Sequence, residues 1–329
     1  MSRTIRFSSA GGPEVLEFIE SAVPAPGAHE VRIKVKAIGL NRAESMWRLD
    51  DYIEAVKFPA TLGYEAAGIV DAVGSEVEGV EVGTEVNVIP SFSMNQYGTY
   101  GETVIVPDHA VVPHPPSLSH AEAASIWMMF VTAYGALVED AKIGKGDFVV
   151  IPAASSSVGL AAIQITNREG ATPIAMTRTS EKREALLAAG AAHVIVTEEV
   201  DFADEVRRLT GGNGARVVFD PVGGPNFEKL VSGLAFQGIA YLYGALAAGP
   251  TTLPALDMIG KMSSVKAHNI WLTSGDPVRR KAAVDYVLKG LEAGAFKPVI
   301  DREFEFDDMI DAHRYLEQNG QFGKIVVRV

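Results

Sequence analysis

Apolar positions along the chain follow two rhythms. Through the first third they come in short runs closed by glycine or proline. VRIKVKAIGL (residues 31–40) alternates at period two, and AAGIVDAVG (66–74), TEVNVIP (84–90) and ETVIVP (102–107) are short and apolar. Strands spaced this way predict a compact antiparallel, barrel-like domain. Ser119 and Glu122 then form a capping box that opens a helix through Met128. Beyond it, strand and helix patterns alternate, with HVIV from His193, VVFDPVGG from Val217 and GIAYLYG from Gly238 as strands. Such alternation predicts a parallel sheet with helices on both faces. Asp276-Pro277 reads as an N-cap with proline at the first helical position. A last helix spans residues 308–318 and stops at Gly320, and KIVVRV closes the chain as a strand. The expected architecture is discontinuous, the tail rejoining the first domain. The active cleft is expected between the domains, at the carboxyl ends of the parallel strands.

Residues 147–183, DFVVIPAASSSVGLAAIQITNREGATPIAMTRTSEKR, carry the most specific pattern. An apolar run at 148–151 reads as a buried strand. A turn of small residues at 153–159 follows, then a helical pattern at 160–168 and a second strand at 173–176. This is a βαβ unit of the kind that rests a dinucleotide pyrophosphate on a helix N-terminus, where free N–H groups and the helix dipole favour anionic charge. The turn departs from G-x-G-x-x-G, since Ala154, Ser156 and Gly159 hold the three glycine positions. Alanine and serine are small enough for a tight turn, and Gly159 lets the helix pack closely on the sheet. The hydroxyls of Ser155, Ser156 and Ser157, just before Val158, add donors for phosphates. A crossover built only for packing would also use small residues, so the weight rests on the strand–turn–helix–strand context.

About twenty residues past the first glycine position, an NAD enzyme carries Asp or Glu for the ribose 2′-hydroxyl. Here that position is Thr177, followed by Arg178, Lys182 and Arg183. No carboxylate repels a 2′-phosphate, and the basic groups pair with one. Basic charge in a first helical turn opposes the helix dipole, which a bound anion explains; Ser180 is the expected N-cap. The reading is NADPH in preference to NADH.

Composition narrows the partners. A chain of 329 residues fits two domains. Its net charge of −12 argues against nucleic acid or an anionic membrane as a main partner. The start shows no signal-peptide pattern, and no strictly apolar run reaches the roughly 18 residues of a membrane span, so a soluble cytoplasmic protein is expected. The absence of cysteine excludes disulfides, thiolate nucleophiles and cysteine-ligated zinc. The histidines show no metal-binding spacing and read as packing residues.

The stretches GGPEVLEF, PAPGAHEVRIKVKAIGLNRAE, GYEAAGIVDAVGSEV, MFVTAYGAL, IPAASSSVGLAAIQI, FDPVGG and GKIVVRV together resemble the medium-chain dehydrogenase/reductase superfamily. The match is closest to its zinc-free quinone oxidoreductase branch, the zeta-crystallin-like proteins, and spans nearly the whole chain. It implies an α/β protein with a discontinuous GroES-like β-rich catalytic domain (residues 1–123 and 273–329). It further implies a Rossmann doubly wound parallel-sheet domain (124–272) that binds NADPH, and a homodimer through that domain. Zinc relatives place a cysteine where this chain has Asn41 and a histidine where it has Tyr64. Both are poor zinc ligands, and Glu44 and Glu65 alone do not suit the metal, so no metal is expected.

Without a Lewis acid, the chemistry implied is hydride delivery to an acceptor that is already electron-poor, a quinone or an α,β-unsaturated carbonyl. Tyr52 matches the tyrosine that relatives place by the substrate, although Asp50 stands where they often carry glycine. Asn41 is a second candidate donor, lining the nicotinamide end. Tyr64 either donates to substrate or fills the space of the lost metal. The resemblance places Thr132, Tyr243, Gly244, Ile270, Trp271 and Lys324 near the cofactor. The leading expectation is a zinc-independent NADPH-dependent quinone or enone reductase. A 2-enoyl thioester reductase and a low-turnover NADPH-binding protein remain as alternatives.

Overall fold

The computed structural model describes all 329 residues. They divide into two compact units. The first comprises residues 1–128, 274–288 and 298–329, and the second residues 129–273 and 289–297. Three of the divisions fall inside helices, Trp127–Tyr134, Trp271–Ser274 and Pro277–Glu292, and the fourth in the loop before Ile300.

The first unit is built on a seven-stranded sheet. Its order is Ile300–Glu305, Lys324–Arg328, Glu30–Gly39, Glu65–Val73, Glu85–Val88 and Val111–Pro113, with Thr103–Pro107 also pairing Glu30–Gly39. All pairs are antiparallel except Ile300–Glu305 with Lys324–Arg328. The strand Glu30–Gly39 alternates buried and exposed side chains along its first half, as its period-two sequence requires. Register shifts against Glu65–Val73, between Arg32 and Ile33 and between Val35 and Ala37, let this long strand serve three partners. The tail returns as expected: Val326 pairs with Gly39.

The second unit carries a six-stranded, wholly parallel sheet. Its order is His193–Val196, Thr172–Thr177, Phe148–Ile151, Ala215–Asp220, Leu234–Leu242 and Ser264–Ala267. The order reverses beside Phe148–Ile151, and ligands of such sheets bind at that switch point. Val150, Ile174, Ile195, Val218, Phe227, Val231 and Leu234 pack into one core. Their strands read as near-continuous apolar runs because both faces are covered. The α/β class, a GroES-like sheet unit plus a Rossmann-like parallel sheet, is the one the sequence implies.

Three local expectations change. The helix opened by Ser119 ends at Ala123 and restarts at Trp127. Ser125 Oγ donates to Ala121 O at 2.7 Å, and the new helix is capped by the Glu65 carboxylate, which accepts the Met128 N–H at 2.6 Å. The last helix, Met309–Glu317, is closed by Asn319 at φ 58° rather than by Gly320. Ser180 does not cap: a short 3₁₀ turn, Ser180–Lys182, starts after Thr179, and the helix begins at Arg183. In addition, residues His120–Asp140 are long and apolar enough to cross a membrane by length and composition, yet most of this stretch is buried inside the protein, as in a core helix. Polar residues such as Ser125 and Thr132 hide this stretch from a search for strictly apolar runs.

Candidate active site

In the first unit, the pairing of the C-terminal strand sets the site. Leu40 N–H donates to Ile325 O at 3.0 Å, which brings Lys324 beside the start of the helix Arg42–Arg48. Close approach is possible because residue 39 is glycine; a Cβ there would lie 1.9 Å from Ala124 O. The Lys324 ammonium donates to Asn41 Oδ1 at 2.5 Å and pairs with the Glu65 carboxylate. Asn41 donates both amide hydrogens, to Gly39 O (3.2 Å) and Glu44 Oε1 (3.1 Å). Glu44 also accepts the backbone N–H groups of Asn41 (2.5 Å) and Tyr64 (3.3 Å). The Asn41-x-x-Glu44 spacing is that of a helix N-cap and its third residue, whose carboxylate folds back on the cap.

This quartet is sealed: Lys324 is 1% exposed and Glu44 and Glu65 are 0% exposed. Burial pushes the Glu44 carboxyl up to about 7, against the opposing pull of Lys324 and Asn41. Burial raises Glu65 as well, again opposed by Lys324. With both amide hydrogens committed and its oxygen held by Lys324, Asn41 has no donor left for an acceptor. The amide expected to donate to an acceptor is thus engaged within the protein itself.

Tyr52 follows the same helix in a braced loop. Asp50 adopts a left-handed φ of 54°, and its Oδ1 accepts the Val56 N–H at 3.0 Å. Aspartate tolerates this conformation by bonding to its own loop, so the missing glycine does not break the turn. Glu54 accepts hydrogen bonds from Ser93 Oγ (2.7 Å) and Asn95 Nδ2 (2.8 Å), anchoring the loop from the other side. The Tyr52 ring meets the buried Trp47 edge to face, centroids 6.3 Å apart. The hydroxyls of Tyr52 and Tyr64 lie close enough to shift each other's ionisation, but no hydrogen bond of ordinary geometry joins them. Tyr64 is buried and its hydroxyl has no partner. Burial pushes Tyr52 up to about 12; the Tyr64 hydroxyl pulls it back, and the charges of Glu44 and Glu54 add to the rise. Burial raises Tyr64 too. Both phenols are therefore protonated donors at neutral pH.

The donor set does not fit zinc. No group of three or more His, Asp and Glu side chains is arranged for a metal ion. Asn41 is fully engaged in hydrogen bonds, and Tyr64 offers a protonated phenol.

Sequence reasoning overlooked a second buried group nearby. Tyr100 Oη lies 3.0 Å from His313 Nε2, and burial pushes His313 down to about 3, so it is neutral. Arg48, fully buried, donates to Gly11 O and pairs with Glu317, tying the helix to both ends of the chain. Only the fold brings these distant residues together. Glu44, by contrast, has a sequence signal in its capping-box spacing.

In the second unit, the turn after Phe148–Ile151 opens the helix Ser157–Arg168. Ser156 caps it, its Oγ accepting the Gly159 N–H at 3.1 Å. Ala153 takes φ 47°, and a Cβ on Gly159 would lie 2.7 Å from Ala154 O, which explains a glycine at that position alone. Val158 lies in the first helical turn. Lys182 Nζ donates to Ser155 Oγ at 3.1 Å, so the fold brings this basic group to the turn. Arg178 is exposed just past the strand Thr172–Thr177, and Thr177 Oγ1 donates to Thr179 O at 3.2 Å. A helix N-terminus, serine hydroxyls and adjacent basic side chains fit a phosphorylated dinucleotide.

The other expected cofactor residues are more spread. Thr132 O accepts a hydrogen bond from His268 Nε2 at 2.9 Å. The Tyr243 ring stacks on Phe219 with centroids 4.1 Å apart, and its hydroxyl is buried without a partner. Gly244 passes so close to Pro221 O that a Cβ would lie 2.5 Å from it. Ile270 is buried, and Trp271 opens the short helix Trp271–Ser274. Asp220, which the sequence reading left without a role, is fully buried at the end of its strand; one oxygen accepts the Gly223 N–H at 2.6 Å and the other has no partner. Burial pushes its carboxyl up to about 6. Lys324, expected near the cofactor, is held by Asn41 and Glu65 in the first unit.

Residues 27–116 match a family described as an alcohol dehydrogenase GroES-like domain, and residues 157–285 one described as a zinc-binding dehydrogenase. The chain is 30% identical to a quinone oxidoreductase of Pongo abelii, over 99% of this chain and 98% of that protein. Among solved structures it resembles a quinone oxidoreductase of Escherichia coli complexed with NADPH, with TM-score 0.90, 26% identity and the whole of both chains covered. It is equally similar in fold to a structure described as an NAD-dependent alcohol dehydrogenase, with TM-score 0.89, 32% identity and 99% of each chain covered.

Proposed function

Because the chain belongs to the quinone oxidoreductase family of the medium-chain dehydrogenase/reductase superfamily, we propose that it is an NADPH-dependent reductase of a quinone or an α,β-unsaturated carbonyl. The observation that carries the reading is the Tyr52–Tyr64 pair: two protonated phenols, one without a partner, with no metal-binding group of side chains to take their place. When bound, NADPH supplies the hydride. The chain's own residues do the rest. The Ser155–Ser157 turn and the N-terminus of its helix hold the pyrophosphate, and Arg178 and Lys182 hold the 2′-phosphate. Tyr52 donates to the acceptor oxygen as negative charge develops there, with Tyr64 behind it as the second phenol. Asn41 and Glu44 fix the backbone on which Tyr64 sits.

The test is NADPH oxidation against a panel of quinones, enones and enoyl-CoA thioesters, with EDTA present and with NADH in parallel. Turnover of quinones or enones that prefers NADPH and resists EDTA is expected. Turnover of thioesters alone would replace the reading with an enoyl thioester reductase. Tight NADPH binding without turnover of any acceptor would leave a binding protein. In the same assay Tyr52→Phe is expected to lower turnover by about tenfold, Tyr64 remaining as a donor, with NADPH affinity unchanged. Unaltered turnover would remove Tyr52 as the donor.

The same reading includes a homodimer through the second unit. Ser264–Ala267 is an edge strand of the parallel sheet, and Leu256 and Ile259 in the preceding helix are 86% and 73% exposed. Edge strands beside apolar surface invite pairing with another copy. Light scattering should give a dimer for the wild type and a monomer for Leu256→Asp/Ile259→Asp. A wild-type monomer at micromolar concentration would end this part of the reading.

A further inference from the structure

The quartet Glu44, Asn41, Lys324 and Glu65 holds two carboxylates and one ammonium, all removed from water. No second cation balances it. Arg48 is buried on the same helix, but its guanidinium faces Gly11 and Glu317. The other titratable groups close enough to influence Glu44, or to feel its charge, are the phenols of Tyr52, Tyr64 and Tyr100. Glu54 adds a further negative charge toward Tyr52 and Tyr64. Two ionised carboxylates against one ammonium would leave a net negative charge in a water-excluded site, a costly arrangement that one bound proton removes.

We propose that this quartet binds one exchangeable proton at neutral pH, shared between Glu44 and Glu65, and that its presence sets the donor strength of the Tyr52–Tyr64 pair. Glu44 is thereby a positioning residue for the donors: its carboxylate holds the backbone of Asn41 and Tyr64, and its charge opposes their loss of a proton. The directions agree with this, since burial raises both carboxyls and Glu44 to about 7. When the proton is bound, the negative charge behind Tyr52 and Tyr64 is gone and both phenols donate more readily. Two like charges sharing a site titrate as a pair, so the proton belongs to the pair rather than to one residue.

The catalytic consequence rests on the reductase reading above; the bound proton does not. The experiment is therefore infrared titration of the full-length protein with isotope-labelled glutamate, followed by a pH profile of turnover with an uncharged quinone. A protonated carboxyl band that disappears as the pH rises through neutrality is expected in the wild type. It should be lost in Glu44→Gln and lost or shifted in Glu65→Gln. If Glu44→Gln fails to fold, the wild-type titration and Glu65→Gln decide. The turnover profile should rise severalfold as pH falls through the same range and flatten in either variant. A wild type with no such band, or a band untouched by both substitutions, overturns the proposal. A protein that shows the band but reduces no acceptor refutes the reductase reading instead. A titrating band with a flat turnover profile refutes the link to the tyrosines.

Discussion

Replacing Lys324 with methionine is expected to remove about 3–5 kcal/mol of folding stability, the cost of leaving a buried charge without its partner. The ion pair with Glu65 is fully enclosed, so neither solvent nor salt can take over the role of the ammonium. The loss has a second source, because Asn41 Oδ1 also accepts from Lys324 and would be orphaned. Adding Glu65→Gln should recover most of the loss. Glutamine retains an oxygen for the Met128 N–H that the carboxylate now accepts, and it removes the charge that needs balancing. Denaturant unfolding of the wild type, the single variant and the double variant measures this directly. A single variant that loses less than about 1 kcal/mol would place Lys324 among ordinary surface lysines, as its sequence position alone allows.

That contrast marks what the chain discloses locally and what it does not. Lys324 reads as the first residue of an apolar strand near the C-terminus. Its importance comes from the pairing of that strand with Glu30–Gly39, a contact nearly 300 residues away in sequence that only tertiary structure supplies. The βαβ unit at 147–183 was legible because its signals are local: strand, small-residue turn, helix and second strand follow one another without a gap. Its finer capping was not. Ser180 is a good cap by residue type, but Thr179 takes the extended conformation and the first turn closes as 3₁₀. The break after Ala123 is another case of tertiary override, since the helix restarts where Glu65, from a distant strand, caps it. Tyr52 and Tyr64 stand out as candidates by their motif positions, but which of the nearby polar groups retain free donors depends on hydrogen bonds that no spacing reveals. Asn41 is the clearest example. Its type suits a donor, yet three partners consume it.

The cofactor preference carries the other large expected effect. Replacing Arg178 and Lys182 together with alanine is expected to weaken NADPH binding by roughly a hundredfold or more, since each charge-assisted hydrogen bond contributes about 1.5–3 kcal/mol. NADH has no 2′-phosphate and should lose little. The two residues are not equivalent. Arg178 is exposed past the end of its strand, so removing it alone should affect only NADPH. Lys182 is bonded to Ser155 in the turn, so its removal should also weaken NADH binding modestly. Fluorescence titration of both cofactors with each single variant and with the pair separates these effects. Higher ionic strength should narrow the NADPH advantage of the wild type, because screening weakens the pairing of an exposed arginine with phosphate. Equal losses for NADPH and NADH in the Arg178 variant would mean that the basic strand end does not read the 2′-phosphate.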